Sequence, residues 1–287
     1  MKEKKLERLT DAVYFMPPEE ETDRPVLAAI CGRERTLIMD AGNSASHASL
    51  LLEALAERQI TKLHAVVLTH CHWDHVFGAD RLNLPVIAHL QTKQALENMA
   101  KLSWTDEALD ERVREGSEFL FCADMIKKEF AHNRDILIRL PDQTFTDKLD
   151  IDLGGVRCTV EHVGGDHSSD STVIYVAEEG RAGGVLFLGD CMYPDLGGKY
   201  TVQAVLDLLE KLDRYDADCY VLSHEMPLSR NEYLEYSGLL KLLCSITVEA
   251  EGELHRILQE YTRRVGKEPG EIELEAIHCF VNGWTAK

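Results

Sequence analysis

The sequence predicts an α/β sandwich: two sheets packed together and covered by helices, with a helical insertion and a helical C-terminal tail. Three observations carry this. Short apolar strand-like runs come first, a charged helical stretch interrupts them, and strands and helices then alternate to the end. No composition shift marks a linker, so residues 1–287 read as one domain, with the insertion at about 91–140 and the tail at about 228–287. Several of the strands also end in histidine or aspartate, as loops do when rigid strands hold them at a working edge.

In chain order, AVYFMP (12–17), VLAAIC (26–31) and TLIM (36–39) read as strands, the last two joined as a hairpin by the polar turn Gly32-Arg33-Glu34-Arg35. SHASLLLEALAER (46–58) has helical spacing after a Ser/Asn-rich start. LHAVVLT (63–69) is a continuous apolar strand ending at His70, and PVIAH (85–89) is another. The pattern then turns helical to about residue 140. KLDIDLGGVRCTVEHV (148–163) resumes strand character as a hairpin through Gly154-Gly155, followed by STVIYV (171–176) and GVLFLG (184–189). A helix over about 201–214 leads to the strand CYVLS (219–223), and the last 60 or so residues read as two or three amphipathic helices.

The net charge of −19, from 31 basic and 50 acidic residues, disfavours phosphate backbones and anionic membrane surfaces. No nucleic-acid or membrane partner is therefore expected, and no apolar run approaches a bilayer span. The start, MKEKKLERLTDAVYF, lacks an apolar core or cleavage site of the secretory kind. The eight cysteines (31, 71, 122, 158, 191, 219, 244, 279) are scattered without a C-x-x-C pair, which fits a reducing cytoplasm and free, mostly buried thiols. The apolar helices of the insertion and tail suit a homodimer contact, and a small-molecule substrate is the expected partner.

Chemistry enters at THCHWDH (69–75), three histidines and an aspartate in seven positions of a chain with 12 histidines. Residue frequencies put such a match at on the order of one in several hundred chains of this length. More donors follow at other strand ends: His167 after CTVEHV and the Gly164-Gly165 turn, Asp190 after GVLFLG, His224 after CYVLS. Imidazole and carboxylate without sulfur suit zinc, with manganese or iron also compatible. In an extended segment His70 and His72 face the same way and can grip one metal, while a turn through Trp73 redirects Asp74 and His75 towards a second. Two metals about 3.5–4 Å apart need a bridge, which Asp190 can supply alongside a hydroxide formed near neutral pH. The remaining histidines (47, 64, 89, 132, 162, 255, 278) are expected in packing or surface roles, with His162 placed where it can orient a neighbour.

THCHWDH, VGGDHSSDST, FLGD and LSHE, in this order, resemble the metallo-β-lactamase superfamily of metal-dependent hydrolases, and LIMDAG (37–42) resembles the Asp-Gly strand end early in that fold. The likeness runs from about residue 12 to 230 and is weakest over 91–140. It implies an αβ/βα four-layer sandwich. It also implies one metal on His70, His72 and His167, a second on Asp74, His75 and His224, and Asp190 bridging them.

Departures narrow the choice. The zinc β-lactamases this chain most resembles carry cysteine where Asp190 stands, and a lysine where Tyr193 stands. Cys191 is one position away and should point to the opposite side. Tyr193 instead resembles the tyrosine of N-acyl homoserine lactonases, placed to donate to a developing oxyanion. The Gly-rich stretch of hydroxyacylglutathione hydrolases is absent, and the acidic balance and missing basic arm count against the tRNA-processing nucleases. Lys199 is the nearest cation for an anionic substrate group. In the insertion, Trp104, Phe119, Phe121 and Met125 can line a lipophilic pocket, or serve as core or dimer contacts.

The expected function is a binuclear hydrolase whose bridging hydroxide attacks an ester, lactone, thioester or amide of a small molecule, with Asp74 and Tyr193 as catalytic groups. The alternatives on the same fold are a one-iron dioxygenase of the persulfide dioxygenase type, a phosphodiesterase, a weak β-lactamase, and a metal-stabilised binding module.

Overall fold

Two sheets form the centre of the molecule. The computed structural model describes residues 6–130 and 134–285, leaving His132 outside. Seven strands cross the first sheet in chain order: β1 (Glu7–Arg8), β2 (Val13–Met16), β3 (Leu27–Cys31), β4 (Thr36–Met39), β5 (Leu63–Val67), β6 (Val86–His89) and β7 (Gln143–Phe145). Neighbours are antiparallel as far as β4 and parallel from β4 to β7. The second sheet holds β8 (Lys148–Asp152), β9 (Val156–His162), β10 (Thr172–Glu178), β11 (Gly184–Gly189), β12 (Ala217–Leu222) and β13 (Leu228–Ser229), each beside the next. Only the β11–β12 pair in it is parallel.

Side chains alternate across a strand, so a strand that is apolar throughout needs cover on both faces. Phe15, Ile30, Met39 and Val67 of the first sheet meet Val160, Ile174, Phe187 and Val221 of the second in one buried layer. Their neighbours Met16, Ala29, Ile38 and Val66 point the other way, against α1 (Ala45–Glu57), the short turns α2 (Trp73–Val76) and α3 (Ala79–Leu82), and the insertion. On the far side Val173, Leu186, Leu188 and Leu222 pack beneath α7 (Val202–Leu212) and the tail helices α8 (Arg230–Glu249), α9 (Leu254–Val265) and α10 (Glu271–Thr285). The result is helix, sheet, sheet, helix, the four-layer αβ/βα order. Ser229 and Glu232 form a reciprocal capping box that starts α8 beside β13.

The insertion consists of α4 (Leu90–Met99), α5 (Asp106–Glu115) and α6 (Leu120–Glu129). Its buried residues Trp104, Leu109, Cys122 and Ile126 join the core on the outer face of the first sheet, and Trp104 packs edge-on against Phe77 at 4.8 Å. Met125 lies partly buried against the same core, whereas Phe119 and Phe121 are exposed. The end of α6 is tied down by Glu129, which accepts from Arg24 (2.7 Å) and from the Ser44 hydroxyl. Burial alone would raise the Glu129 pKa, but Arg24 and Ser44 outweigh it and hold it below the usual range. A depressed carboxyl pKa adds stability above the unfolded pKa and forfeits it as pH falls. Glu129→Ala is therefore expected to cost about 2 kcal/mol at pH 7, as for hydrogen bonds to a charged group, and less near pH 4. Urea unfolding at both pH values checks this; an equal loss at both would refute it.

Among the described residues every cysteine is a free thiol. Cys191 is buried in the layer beneath α7. No helix of the described residues is long and apolar enough to cross a membrane.

Candidate metal centre

The C-terminal ends of β5, β9, β11 and β12 meet at one edge of the sandwich. The chain bends at Thr69 and Cys71 as it leaves β5 and then winds into the single helical turn α2, with His72 extended at its start (φ −66°, ψ 150°). The motif contributes to two groups of donor atoms. His70, His72 and His167 form one cluster of donor atoms, and Asp74, His75, Asp190 and His224 form another.

Asp190 links the two. Its Oδ2 lies 3.9 Å from His70 Nε2, 3.4 Å from His75 Nε2, 3.4 Å from His167 Nε2 and 3.3 Å from His224 Nε2. Asp74 Oδ2 stands 3.0 Å from His75 Nε2 and 3.2 Å from His224 Nε2. Gly189 makes the turn into Asp190 at φ +55°, where a Cβ would meet the Thr69 Cβ at 3.0 Å. Glycine there gives both the left-handed conformation and the close approach of the two sheets.

The ring tautomers follow from what the outward nitrogens touch. Asp40, at 2.8 Å, accepts from His75 Nδ1–H. The Thr69 hydroxyl donates to Asp40 (2.8 Å), so its oxygen is left to accept from His70 Nδ1–H at 3.1 Å. His167 Nδ1–H donates to the Pro194 carbonyl (2.9 Å), and His224 Nδ1 faces Asp23 at 3.3 Å. Each of these four rings thereby turns Nε2 inward. His72 instead turns Nδ1 inward, 3.0 Å from His167 Nε2.

Fit to a cation can be judged from these atoms. The inward nitrogen of His70 and Asp190 Oδ1 are buried without hydrogen-bond partners, a cost that a bound metal would remove. Burial, reinforced by His75 and His72, drives the His70 pKa well down and keeps it a neutral ligand. Burial would do the same to His75 and His224, but the carboxylates of Asp74 and Asp190 outweigh it and raise both well above the usual range. Protons there substitute for positive charge that the site demands, and metal binding would release them. The residues fit one or two divalent ions.

Sequence reading missed Asp23. It follows a 3-10 turn (Glu20–Thr22), adopts a left-handed φ of 57°, and has its pKa pushed up to about 6 by burial and by the Asp74 charge. It lies in the acidic stretch PEEETDRP, which carries no strand or helix period. The Asp40 contact to His75 was equally invisible, although its strand end was noticed. His162 donates Nε2–H to the Ser169 carbonyl at 2.8 Å, in the loop carrying His167, and its ring stacks on His89 at 4.0 Å.

Tyr193 places its ring 6.1 Å from His167 and 6.2 Å from His224, and its hydroxyl is buried without a partner. From it a groove of about 340 Å³ runs outward between the loop after β11, the loop after β12, α8 and α10. That volume suits a small molecule. Lys199 is exposed on the loop after β11, and neither it nor any insertion residue lines the groove.

The model of the metallo-beta-lactamase superfamily matches residues 26–224 of the chain. A search of curated proteins gave no match. Among solved structures, a metallo-beta-lactamase from Pontibacter korlensis superposes with a TM-score of 0.54 at 18% identity, covering 83% of this chain and 98% of that one. The stereoselective inverting sec-alkylsulfatase Pisa1 from Pseudomonas sp. gives 0.64 at 16% identity, over 96% of this chain and 49% of that one. DIM-1 metallo-beta-lactamase gives 0.57 at 15% identity, over 84% and 96%. These likenesses show a shared fold, and with the family match across most of the strands and every clustered donor they lead to one conclusion: the chain belongs to the metallo-beta-lactamase superfamily.

Proposed function

We propose that the chain is a binuclear metal-dependent hydrolase of small carboxyl derivatives: esters, lactones, thioesters or amides. The observation that carries this is Asp190 Oδ2, within reach of histidines from both donor groups at once. His70, His72 and His167 would hold one ion, Asp74, His75 and His224 the other, with Asp190 shared. Zinc suits these donors best, and manganese or iron is compatible. When bound, the ions supply Lewis-acid activation and a water acidified to near neutrality.

The chain's own groups then have distinct tasks. Hydrolysis adds water across the acyl bond: oxygen goes to the carbonyl carbon, one proton to the leaving heteroatom, and the second to solvent. Burial would raise the Asp74 pKa, but His75 and His224 hold it well below the usual range, so it accepts the water proton as a carboxylate and passes it on. Burial and the Asp190 charge raise the Tyr193 pKa, which keeps its hydroxyl a donor for the carbonyl oxygen as charge develops there. Both donor groups are complete, which favours this reading over chemistry at a single iron. The alkylsulfatase likeness adds sulfate esters to the candidates, but no lysine or arginine lines the groove to hold an anionic end.

The test is metal content in protein purified without chelator, paired with a lactone, thioester and ester panel. About two equivalents per chain and turnover lost on chelation are expected; an undiminished rate in metal-free protein would sink the reading. Tyr193→Phe should lower kcat about 100-fold, the usual cost of one oxyanion donor, with metal content unchanged.

A further inference from the structure

The groove beside the metal centre has a definite character. Its inner end is Tyr193, with Pro194, whose carbonyl holds His167, and Glu225, which directly follows His224. Its walls are apolar and aromatic: Tyr236 and Leu228 on one side, Ile272 and Ala276 of α10 on the other. Tyr236 is steadied by Tyr200, the two hydroxyls lying 3.4 Å apart while Tyr200 donates to the Met192 carbonyl at 2.7 Å. Three glutamates, Glu225, Glu232 and Glu275, complete the lining, with no lysine, arginine or histidine among its members. Glu232 is engaged by the Ser229 amide and hydroxyl at the start of α8. Glu225 and Glu275 are exposed, and no ion pair engages either among the described residues.

Apolar walls ending in negative charge suit one kind of molecule. Resting on the hydrolase reading above, we propose that the substrate is an ester, lactone or amide whose non-reacting arm is apolar and carries a cationic amine, the arm lying along Tyr236 and Ile272 and the ammonium group meeting Glu225 and Glu275. Aromatic faces next to carboxylates are the surroundings in which alkylammonium groups bind well. The overall charge of −19 draws the same cation in and repels carboxylates, phosphates and sulfates. Specificity here belongs to the C-terminal tail, since α8 and α10 build the walls.

Three phenyl esters of matched chain length, ending in trimethylammonium, tert-butyl or carboxylate, test this on the metal-loaded full chain. The cationic ester should exceed the neutral one in kcat/KM by about 10-fold, from two partly exposed ion pairs, and the anionic ester should be poorest. In Glu225→Gln/Glu275→Gln the cationic-to-neutral ratio should fall to near one, and added salt should lower it in the wild type. Turnover with no charge ranking, or an unchanged ranking in the double variant, overturns the groove assignment and leaves the hydrolase reading intact. Should no ester be cleaved, binding of hexyltrimethylammonium against hexanoate by calorimetry separates the two ideas. Ammonium binding that the double variant loses keeps the groove and removes the hydrolase; equal binding of both probes removes the groove too.

Discussion

Asp190→Ala is expected to abolish turnover, lowering kcat/KM by about 1,000-fold or more, and to cut bound metal towards one equivalent. Changing a residue that merely supports a ligand typically costs about 10–100-fold in metal affinity or activity. Asp190 does more, because one carboxylate oxygen lies 3.3–3.9 Å from four inward nitrogens drawn from both donor groups. Burial would raise its pKa, but His224 and His75 hold it well below the usual carboxylate range. In the binuclear reading proposed above it would provide fixed negative charge where two cations would otherwise repel each other. Removing it leaves the two histidine groups without an anion between them, so the site that relies on it most should empty. Metal per chain and kcat/KM on one preparation measure both effects. Unchanged activity at full metal content would mean that Asp190 is not shared.

Most of the clustered donors were legible in the sequence because they follow strands that are largely apolar, His167 after the mixed strand CTVEHV being the exception. LHAVVLT, GVLFLG and CYVLS cannot be solvent-facing, so the residues just beyond them must sit at the rim of a sheet. Helix and strand periods also located the hairpin through Gly154-Gly155 and the helices flanking the sheets. The two-residue strands β1 and β13 and the three-residue β7 were missed, since so few residues show no period. Asp23 lies 201 positions before His224, and their contact depends on a left-handed turn that no local pattern announces. Lys199 is near Asp190 in sequence but its side chain is exposed outside the groove, and Phe119 and Phe121 of the insertion point to solvent. The substrate-sized groove is lined instead by the tail, whose helices read only as amphipathic.

Asp40→Ala should combine the largest stability loss with a loss of metal affinity, for reasons that can be separated. Asp40 is fully buried, adopts φ 57°, and accepts three hydrogen bonds: from the Thr69 amide (2.7 Å), the Thr69 hydroxyl (2.8 Å) and His75 Nδ1 (2.8 Å). Alanine leaves three donors stranded, at about 1–3 kcal/mol each before relaxation. It also places a residue with no local polar bond in a left-handed conformation, at a cost of about 1 kcal/mol. A total near 4 kcal/mol is expected in urea unfolding, a large share of any domain's stability. The effect reaches the metal centre along two routes. His75 loses the partner that fixes its tautomer, and the Thr69 hydroxyl is freed to turn away from His70, so both donor groups loosen and affinity should fall about 10–100-fold. Asp40→Asn divides these contributions. Asparagine tolerates the left-handed conformation and keeps an acceptor oxygen, so its stability loss should be about half that of alanine, yet it removes the charge facing His75. If charge matters, the asparagine variant will bind metal nearly as poorly as the alanine variant while unfolding much later. If hydrogen-bond geometry alone matters, the two losses will scale together. Wild-type stability and affinity in both variants would show that His75 is oriented by its metal-side contacts and that the Asp40 bond is incidental.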